Sequence, residues 1–157
     1  MRKVIQPELH TPPLSRDEDI GLAPESVALL EVTSEDPAYV AESALAGEGA
    51  GWRAADAGPQ KIRLIFAAPQ TLRRISLLFE ETAVKRTQEF TLRSSRHREG
   101  PFVEIVRQQW TFSPPATVRE AENYDVQLRG VVALELIITP DISGGDARAS
   151  LRSLRLY

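Results

Sequence analysis

Residues 60–79 constrain the fold of this chain more than any other stretch. Apolar and polar residues alternate with a period of two over residues 62–66 and again over residues 75–79. This alternation is typical of strands that bury one face. The break at residues 67–71 contains a proline, so the stretch predicts two antiparallel strands joined by a turn. Leu72 falls out of phase with the second strand, which indicates a bulge or a late strand start.

The rest of the chain is predicted to cover this pair of strands. Further strand signals occur at residues 27–33, 88–95, 102–112, 124–128, 131–139 and 150–157. Eight short strands separated by turns, including a tight turn at Arg129-Gly130, are typical of an all-β sandwich or barrel with antiparallel strands.

One short helix is expected after the first strand. Residues 34–37 place an acceptor side chain before a proline, which is a helix-start signal, and Gly47 ends the helical stretch 38–46. Residues 1–22 contain three prolines and a charged run, so we expect a poorly ordered or edge-lying tail. The domain itself is predicted to span residues 23–157.

Composition excludes several classes of protein. A chain of 157 residues is one domain by length. It has no cysteine, which rules out disulfides and thiolate chemistry, and its net charge of −3 makes it a poor ligand for nucleic acid. No apolar run is long enough for a membrane span, and the start lacks the apolar core of a signal peptide. We therefore expect a cytoplasmic protein, or a piece of a longer one.

Several short motifs resemble one known family. Residues 32–37, 43–47 and 51–53 are similar to the opening of a discoidin domain, also called coagulation factor V/VIII type C. Residues 90–95 resemble the mid-chain strand of that family, and residues 149–156 its closing strand. The resemblance implies an eight-stranded galactose-binding-like jelly roll. It also implies a carbohydrate-binding module, a lipid-binding domain or an intracellular interaction domain.

The sequence departs from that family where many carbohydrate-binding members hold calcium. The family pattern has an acidic residue before the glycine of the first long loop and a Glu in the closing strand. This chain has Ala46 and Ser153 at those positions. Calcium requires several oxygen ligands, with carboxylates supplying the charge. We therefore predict no structural calcium and no other cofactor.

Chain direction predicts where a ligand would bind. If successive strands are antiparallel, the long loops 34–59, 80–87, 113–121 and 140–147 share one end of the sandwich, and such loops commonly carry binding residues. The candidate ligand-binding residues at this end are Arg53, Asp56, Glu81, Arg86, Asp141, Asp146 and Arg148. Four of them also have a structural explanation: Asp141 and Asp146 favour turns, and Glu81 and Arg86 fit a solvated loop tip.

The two tryptophans are more typical of core packing than of ligand stacking. Trp52 occupies a packing position in the family pattern. Trp110 shares a strand face with Val106 and Phe112, which favours the core, although Gln108 and Gln109 nearby leave open an exposed aromatic that stacks on sugars.

Catalysis has little support in the sequence. General acid–base chemistry needs titratable groups that the fold brings together, and the histidines, His10 and His97, fall in the tail and in a turn at the loop-poor end. The carboxylate pairs Glu80-Glu81 and Glu120 with Glu122 could serve glycoside hydrolysis, but acidic pairs are common. The chain is therefore predicted not to be an enzyme.

Two hypotheses of function remain. The first is a non-catalytic, discoidin-like carbohydrate-binding module, and this one is preferred. The alternative is an intracellular protein-interaction or structural domain that kept the jelly roll and lost the sugar site. A concave site with converging Arg and Asp side chains at the loop-rich end would favour the first hypothesis.

Overall fold

The computed structural model describes residues 2–4 and 21–157 of the chain. This part of the chain is mostly β-structure, with one α-helix and one 3₁₀ turn, Pro24–Ser26. The strands are β1 (Arg2–Val4), β2 (Val27–Val32), β3 (Trp52–Arg53), β4 (Gln60–Glu80), β5 (Arg86–Ser95), β6 (Val103–Phe112), β7 (Arg119–Thr139), β8 (Ser150–Leu151) and β9 (Ser153–Leu156). The helix α1 spans Ala41–Ala46.

The long strands β4 and β7 form the centre of the fold. Each has 21 residues, and the two pair with each other in antiparallel register from Gln60 opposite Ile138 to Glu80 opposite Arg119. A straight strand of this length would measure about 70 Å, whereas a globular chain of this size is about 40 Å across. Both strands therefore bend at their middles.

The predicted hairpin turns at residues 67–70 and at Arg129-Gly130 are wrong. Each lies inside one continuous strand, whose two halves pair with other strands and not with each other. Pro69 has no partner in the register between β4 and β7, so its missing N–H breaks no ladder hydrogen bond. Gly130 has a φ of 68°, a conformation that lets β7 bend there.

The bends divide the strands into two layers. One layer contains β1, β2, the first half of β4, the second half of β7, β5 and β6 in that spatial order. The other contains the first half of β7, the second half of β4, and β9. Leu64, Ile75, Phe90 and Leu134 come from both layers and are all almost completely buried in one core. The predicted sandwich is thus present, built from bent strands.

The bulge expected near Leu72 is confirmed. The register between β4 and β7 shifts on both sides of Leu72. These shifts return its side chain to the core face, where it is fully buried. The irregular residue of the sequence pattern is therefore a core residue at the bend.

Two features of the strand arrangement differ from the prediction. The described residues form nine strands instead of eight. Two predicted pairs merge into β4 and β7, whereas residues 2–4 and Trp52–Arg53 add two strands and the closing stretch is divided into β8 and β9. The β1–β2 pair is also parallel, so the sheet is not wholly antiparallel. Residues 2–4 belong to the predicted tail, and Lys3 in this strand pairs with Glu35 and Glu42 at 2.7 Å each. Residues 1 and 5–20 lie outside the described part of the chain.

The helix begins three residues later than predicted. Ala41 is its first residue, and the carboxylate of Glu35, rather than a side chain next to Pro37, accepts the Ala41 amide hydrogen bond at 2.7 Å. The helix ends at Gly47, as predicted, in a left-handed conformation with φ 70°.

Candidate functional site

The long loops collect at one end of the sandwich, as the chain direction predicts. The backbone amide of Glu81 donates to the carbonyl oxygen of Val118 at 2.8 Å, which joins the β4–β5 loop to the β6–β7 loop. The amide of Ala54 donates to the carbonyl oxygen of Ala149 at 2.9 Å, which joins the β2–β4 loop to the β7–β8 loop. These contacts fix the loops against one another.

A concavity of about 290 Å³ lies between these loops. Five of the seven candidate residues line it: Arg53, Glu81, Asp141, Asp146 and Arg148. Val84 and residues 144, 145 and 147 complete the lining. We call this feature the loop-end concavity. Its wall brings together two guanidinium groups and three carboxylates from three loops.

Arg53 and Arg148 supply the positive charge of the loop-end concavity. Both side chains are exposed. The guanidinium of Arg53 lies 6.0 Å from the ring centroid of Tyr39, which limits the orientations that it samples. Arg148 follows the Asp141–Gly144 turn by four residues and pairs through its backbone with Gly58. Two exposed guanidinium groups face the same space from neighbouring loops.

Two of the carboxylates are already engaged by the protein. Burial acts to raise the pKa of Glu81, but hydrogen bonds from Arg86 and from the amides of Ala83 and Val84 outweigh it and hold the pKa below its ordinary value. Hydrogen bonds from the hydroxyl and amide of Ser143 lower the pKa of Asp141. Both carboxylates are therefore charged at neutral pH.

Arg86 and Asp56 do not line the loop-end concavity. The Arg86 side chain is only 1% exposed, and it bonds to Glu81 beneath the concavity. Its guanidinium also lies 4.9 Å from the ring centroid of Phe112. Asp56 is exposed and is not among the lining residues, and its backbone amide donates to Ser34 Oγ at 3.2 Å.

Two apolar side chains at this end are not among the residues predicted from the sequence. Val84 lines the concavity and is 53% exposed, and Ile142 in the neighbouring loop is 49% exposed. Tyr39, beside Arg53, was missed as well. The sequence does contain a signal for these residues, because they are apolar or aromatic residues inside otherwise polar loops. Exposed apolar side chains at a loop-rich end are candidates for contact with a ligand.

The two tryptophans pack in the core. Trp52 is 1% exposed, which confirms the prediction for it. Trp110 is half-buried and packs against the same core cluster. Its position on the inner face of β6, opposite Gln88 of β5, keeps it away from the loop-end concavity.

A larger groove of about 580 Å³ lies at the opposite end of the molecule. It runs between β6 and the first half of β7, and its floor is apolar, with Val103, Ile105, Val126 and Leu128. Small polar ligands are held by converging polar groups. Five of the nine residues that line the loop-end concavity are charged, whereas the groove combines its apolar floor with Arg96, His97 and Arg129.

His97, Glu80 and Glu120, which are candidates for acid–base chemistry, do not line the loop-end concavity. His97 lies in the groove at the opposite end, and His10 falls outside the described residues. Glu80 pairs with Arg152 at 3.1 Å, and Glu120 is buried. Residues 2–4 and 21–157 contain no group of three or more His, Asp or Glu side chains that could hold a metal ion. The absence of calcium and the cytoplasmic location stay predictions.

Within the same described residues, no helix has the length and apolar character that crossing a membrane requires.

Bent long strands, two layers and loops gathered at one end define a jelly-roll β-sandwich. Among solved structures, carbohydrate-binding modules share this fold. The family 32 module of NanJ from Clostridium perfringens, solved with galactose, has a TM-score of 0.58 and 16% identity over 81% of this chain and 90% of that one. Another Clostridium perfringens module, solved with GalNAc-β-1,3-galactose, has a TM-score of 0.61 and 17% identity over 82% and 93%.

Two further neighbours show how widely this fold is used. A pectin-binding carbohydrate-binding module has a TM-score of 0.59 and 12% identity over 83% of this chain and 89% of its own. XRCC1, solved in its reduced form with the catalytic domain of DNA polymerase beta, has a TM-score of 0.58 and 13% identity over 80% and 91%. No protein-family model and no curated protein matches the chain. The chain therefore has the galactose-binding-like fold, and identities this low show the fold alone.

Proposed function

We propose that this chain is a non-catalytic, discoidin-type carbohydrate-binding module that binds its ligand in the loop-end concavity. The observation that carries the proposal is the convergence of Arg53, Arg148 and Asp146 on one concave surface. Guanidinium groups donate paired hydrogen bonds in a fixed plane, and a carboxylate accepts them. Neighbouring hydroxyl groups of a sugar ring need this combination of donors and acceptors.

The size and apolar content of the concavity also support the proposal. A volume of about 290 Å³ is at the lower end for small-molecule sites, which run from about 300 to 1,000 Å³. That volume suits a short saccharide or the end of a longer one. Val84 presents an exposed apolar surface beside the charged groups, against which the C–H face of a sugar can pack.

A glycan array tests this proposal with a matched pair of variants. Arg148→Ala removes an exposed guanidinium from the concavity, whereas Arg129→Ala removes another exposed one at the opposite end. We expect the wild-type chain and Arg129→Ala to bind the same glycans. Arg148→Ala should bind about tenfold more weakly or not at all, because a hydrogen bond to a charged group contributes about 1.5–3 kcal/mol.

The alternative is a protein-interaction domain on the same fold. One observation favours it: no aromatic side chain of the described residues lines the loop-end concavity, although sugars commonly stack on aromatic rings. A glycan array on which the wild-type chain binds nothing would favour this alternative over the carbohydrate proposal.

A further inference from the structure

A buried arginine joins two of the loops that form the loop-end concavity. Arg86 Nε donates to Glu81 Oε1 at 2.7 Å, and Arg86 Nη1 donates to the carbonyl oxygen of Pro140 at 2.8 Å. The other oxygen of Glu81 accepts the amides of Ala83 and Val84 at 2.9 and 3.2 Å. The positions of the β4–β5 loop and of the start of the β7–β8 loop therefore depend on one guanidinium.

The hydrogen bonds continue from Arg86 into the core. Arg86 Nη1 also contacts Gln88 Oε1 at 3.3 Å, and Gln88 Nε2 donates to Glu120 Oε1 at 3.2 Å. Arg86 and Gln88 are two residues apart on β5, so both point to the inner face. The Gln88 amide accepts at one end and donates at the other, and this links a surface loop to a carboxyl group in the core.

Glu120 at the end of this chain of hydrogen bonds is held in its neutral form. It is 1% exposed, and its Oε2 receives no hydrogen bond from any described donor. A proton on Glu120 resolves this, because the neutral carboxyl then hydrogen-bonds to the side chain of Glu122. Burial, this hydrogen bond and the charge of Glu122 raise the pKa of Glu120 to about 8.

The charged and titratable groups around Glu120 come from two strands. On β7, Glu122 and Tyr124 lie on the same face as Glu120, and burial together with the two carboxyls raises the pKa of Tyr124 to about 12. On β5, Arg86 is the cation that acts on Glu120. The residue opposite Glu120 on β4 is Phe79, which carries no charge. Within the described part of the chain, Arg86 is thus the cation that acts on Glu120 if it ionises.

We propose that Gln88 and Glu120 are positioning residues of the loop-end concavity, and that release of the Glu120 proton to solvent loosens the contacts by which Arg86 holds its two loops. A buried carboxylate is costly unless it is paired. Ionised Glu120 therefore competes with Glu81 and the Pro140 carbonyl oxygen for the Arg86 guanidinium. For its effect on ligand binding, this inference rests on the proposed function.

Nuclear magnetic resonance tests the coupling without any ligand. The Nε–H resonance of Arg86 and the amide resonances of Ala83 and Val84 report on the contacts to Glu81. In the wild-type chain, we expect all three to shift together with a midpoint at pH about 8, following the proton of Glu120. Glu120→Gln keeps the shape of the side chain and is neutral at every pH, so this titration should be lost in that variant.

A second variant separates the coupling from a general effect of mutation. Glu122→Gln removes the neighbouring charge that helps to raise the pKa of Glu120, so the titration should persist with a lower midpoint. Resonances that stay constant in the wild-type chain from about pH 6 to about pH 10 would overturn the inference. So would an unchanged titration in Glu120→Gln.

Binding of oligogalacturonates at about pH 6 and about pH 9 then tests the effect on the site. We expect the wild-type chain to bind more weakly at the higher pH than at the lower one. Glu120→Gln should bind equally well at the two pH values. If the wild-type chain binds none of the saccharides of the array at either pH, the proposed function fails, while the resonance titration still decides the coupling. Equal wild-type binding at both pH values, together with a clear titration, would overturn control of the site by Glu120.

Discussion

The indole nitrogen of Trp52 donates a hydrogen bond to the backbone carbonyl oxygen of Ser34 at 3.2 Å. Trp52 belongs to the small β3–β8 sheet, and Ser34 lies just after β2. The contact closes the long β2–β4 loop against the core and sets the position of Arg53, the next residue along the chain. The buried side chain of Trp52 thus holds the backbone from which the candidate binding residue Arg53 extends.

Two replacements of Trp52 should therefore destabilise the chain by different amounts. Trp52→Phe keeps most of the apolar burial but leaves the Ser34 carbonyl oxygen unpaired, which should lower the free energy of unfolding by about 1–3 kcal/mol. Trp52→Ala also opens a cavity and should lower it by about 3–5 kcal/mol. Urea denaturation followed by circular dichroism measures both changes, and equal losses in the two variants would contradict the role of the hydrogen bond.

Gly51 and Gly144 provide a matched test of close packing in the loops. Both have positive φ, 79° and 87°, so a substitution by alanine strains the backbone by about 1–2 kcal/mol at either site. A Cβ on Gly51 would lie 2.2 Å from the carbonyl oxygen of Leu151, whereas a Cβ on Gly144 would have no atom within 4 Å. Gly51→Ala should therefore be less stable than Gly144→Ala by about 1–3 kcal/mol, as measured by thermal unfolding. Equal melting temperatures would contradict the packing of Gly51 against β8.

Glu135 is a buried carboxylate at the centre of an ion-pair cluster on the outer face of the larger layer. It lies directly opposite Arg63 on one side and Arg93 on the other. Each arginine Nε donates to a Glu135 oxygen at 2.6 Å, and both guanidinium groups stack on the ring of Phe102. Lys61 also lies 3.8 Å from Glu135, and Arg63 lies 3.6 Å from Glu31. Removing the Glu135 carboxylate therefore leaves three neighbouring cations with, among the described residues, only Glu31 to offset their charge.

Glu135→Ala should accordingly lower the free energy of unfolding by about 1.5–3 kcal/mol, because hydrogen bonds between charged groups are lost while the part-exposed guanidinium groups of Arg63 and Arg93 can still be hydrated. Glu104→Ala is the control. It breaks an ion pair with Arg107 at 2.9 Å in which both side chains are at least half exposed, so it should cost only about 0–1 kcal/mol. Similar losses for both variants in urea denaturation would show that the Glu135 cluster is not the stabilising one.

The pKa of Glu120 predicts a pH dependence of stability. Its ordinary pKa of 4.5 is raised to about 8 in the folded chain, so between these values the folded state binds a proton that the unfolded state lacks. The stabilisation from this proton is complete below pH 4.5 and is lost as the pH rises through about 8. Glu120→Gln should therefore gain melting temperature relative to the wild-type chain as pH increases. A constant difference in melting temperature across that range would contradict a neutral Glu120.

The sequence pattern predicts where the strands lie, but the predicted hairpin turns between them are wrong. The alternation around Phe66 and Ile75 identified two buried strand halves, and the bulge at Leu72 was expected. The alternation alone does not distinguish a hairpin turn from a bend within one strand, because both use a proline or a glycine at the break, as at Pro69 and Gly130. Only the hydrogen-bond partners separate these cases, and they lie far away in sequence. The loops still fall at the predicted end, since a bend between layers also reverses the chain.

The candidate site can likewise be predicted from the sequence only in part. Five candidate residues converge because chain direction alone places their loops together. Arg86 was expected in a solvated loop beside Glu81, yet Phe112 and Pro140 bury it from distant parts of the chain. No local pattern in the sequence records such contacts. For the same reason, the hydrogen bonds through Gln88 had no signal in the sequence.

Chemical-shift mapping of the isotope-labelled chain tests the central claim most directly. The chain would be titrated with galactose and with oligogalacturonates while the backbone amide resonances are recorded. We predict saturable shifts that cluster at Arg53, Val84, Asp146 and Arg148 around the loop-end concavity. Shifts confined to the groove at the opposite end, around Ile105 and residues 126–131, would contradict the account.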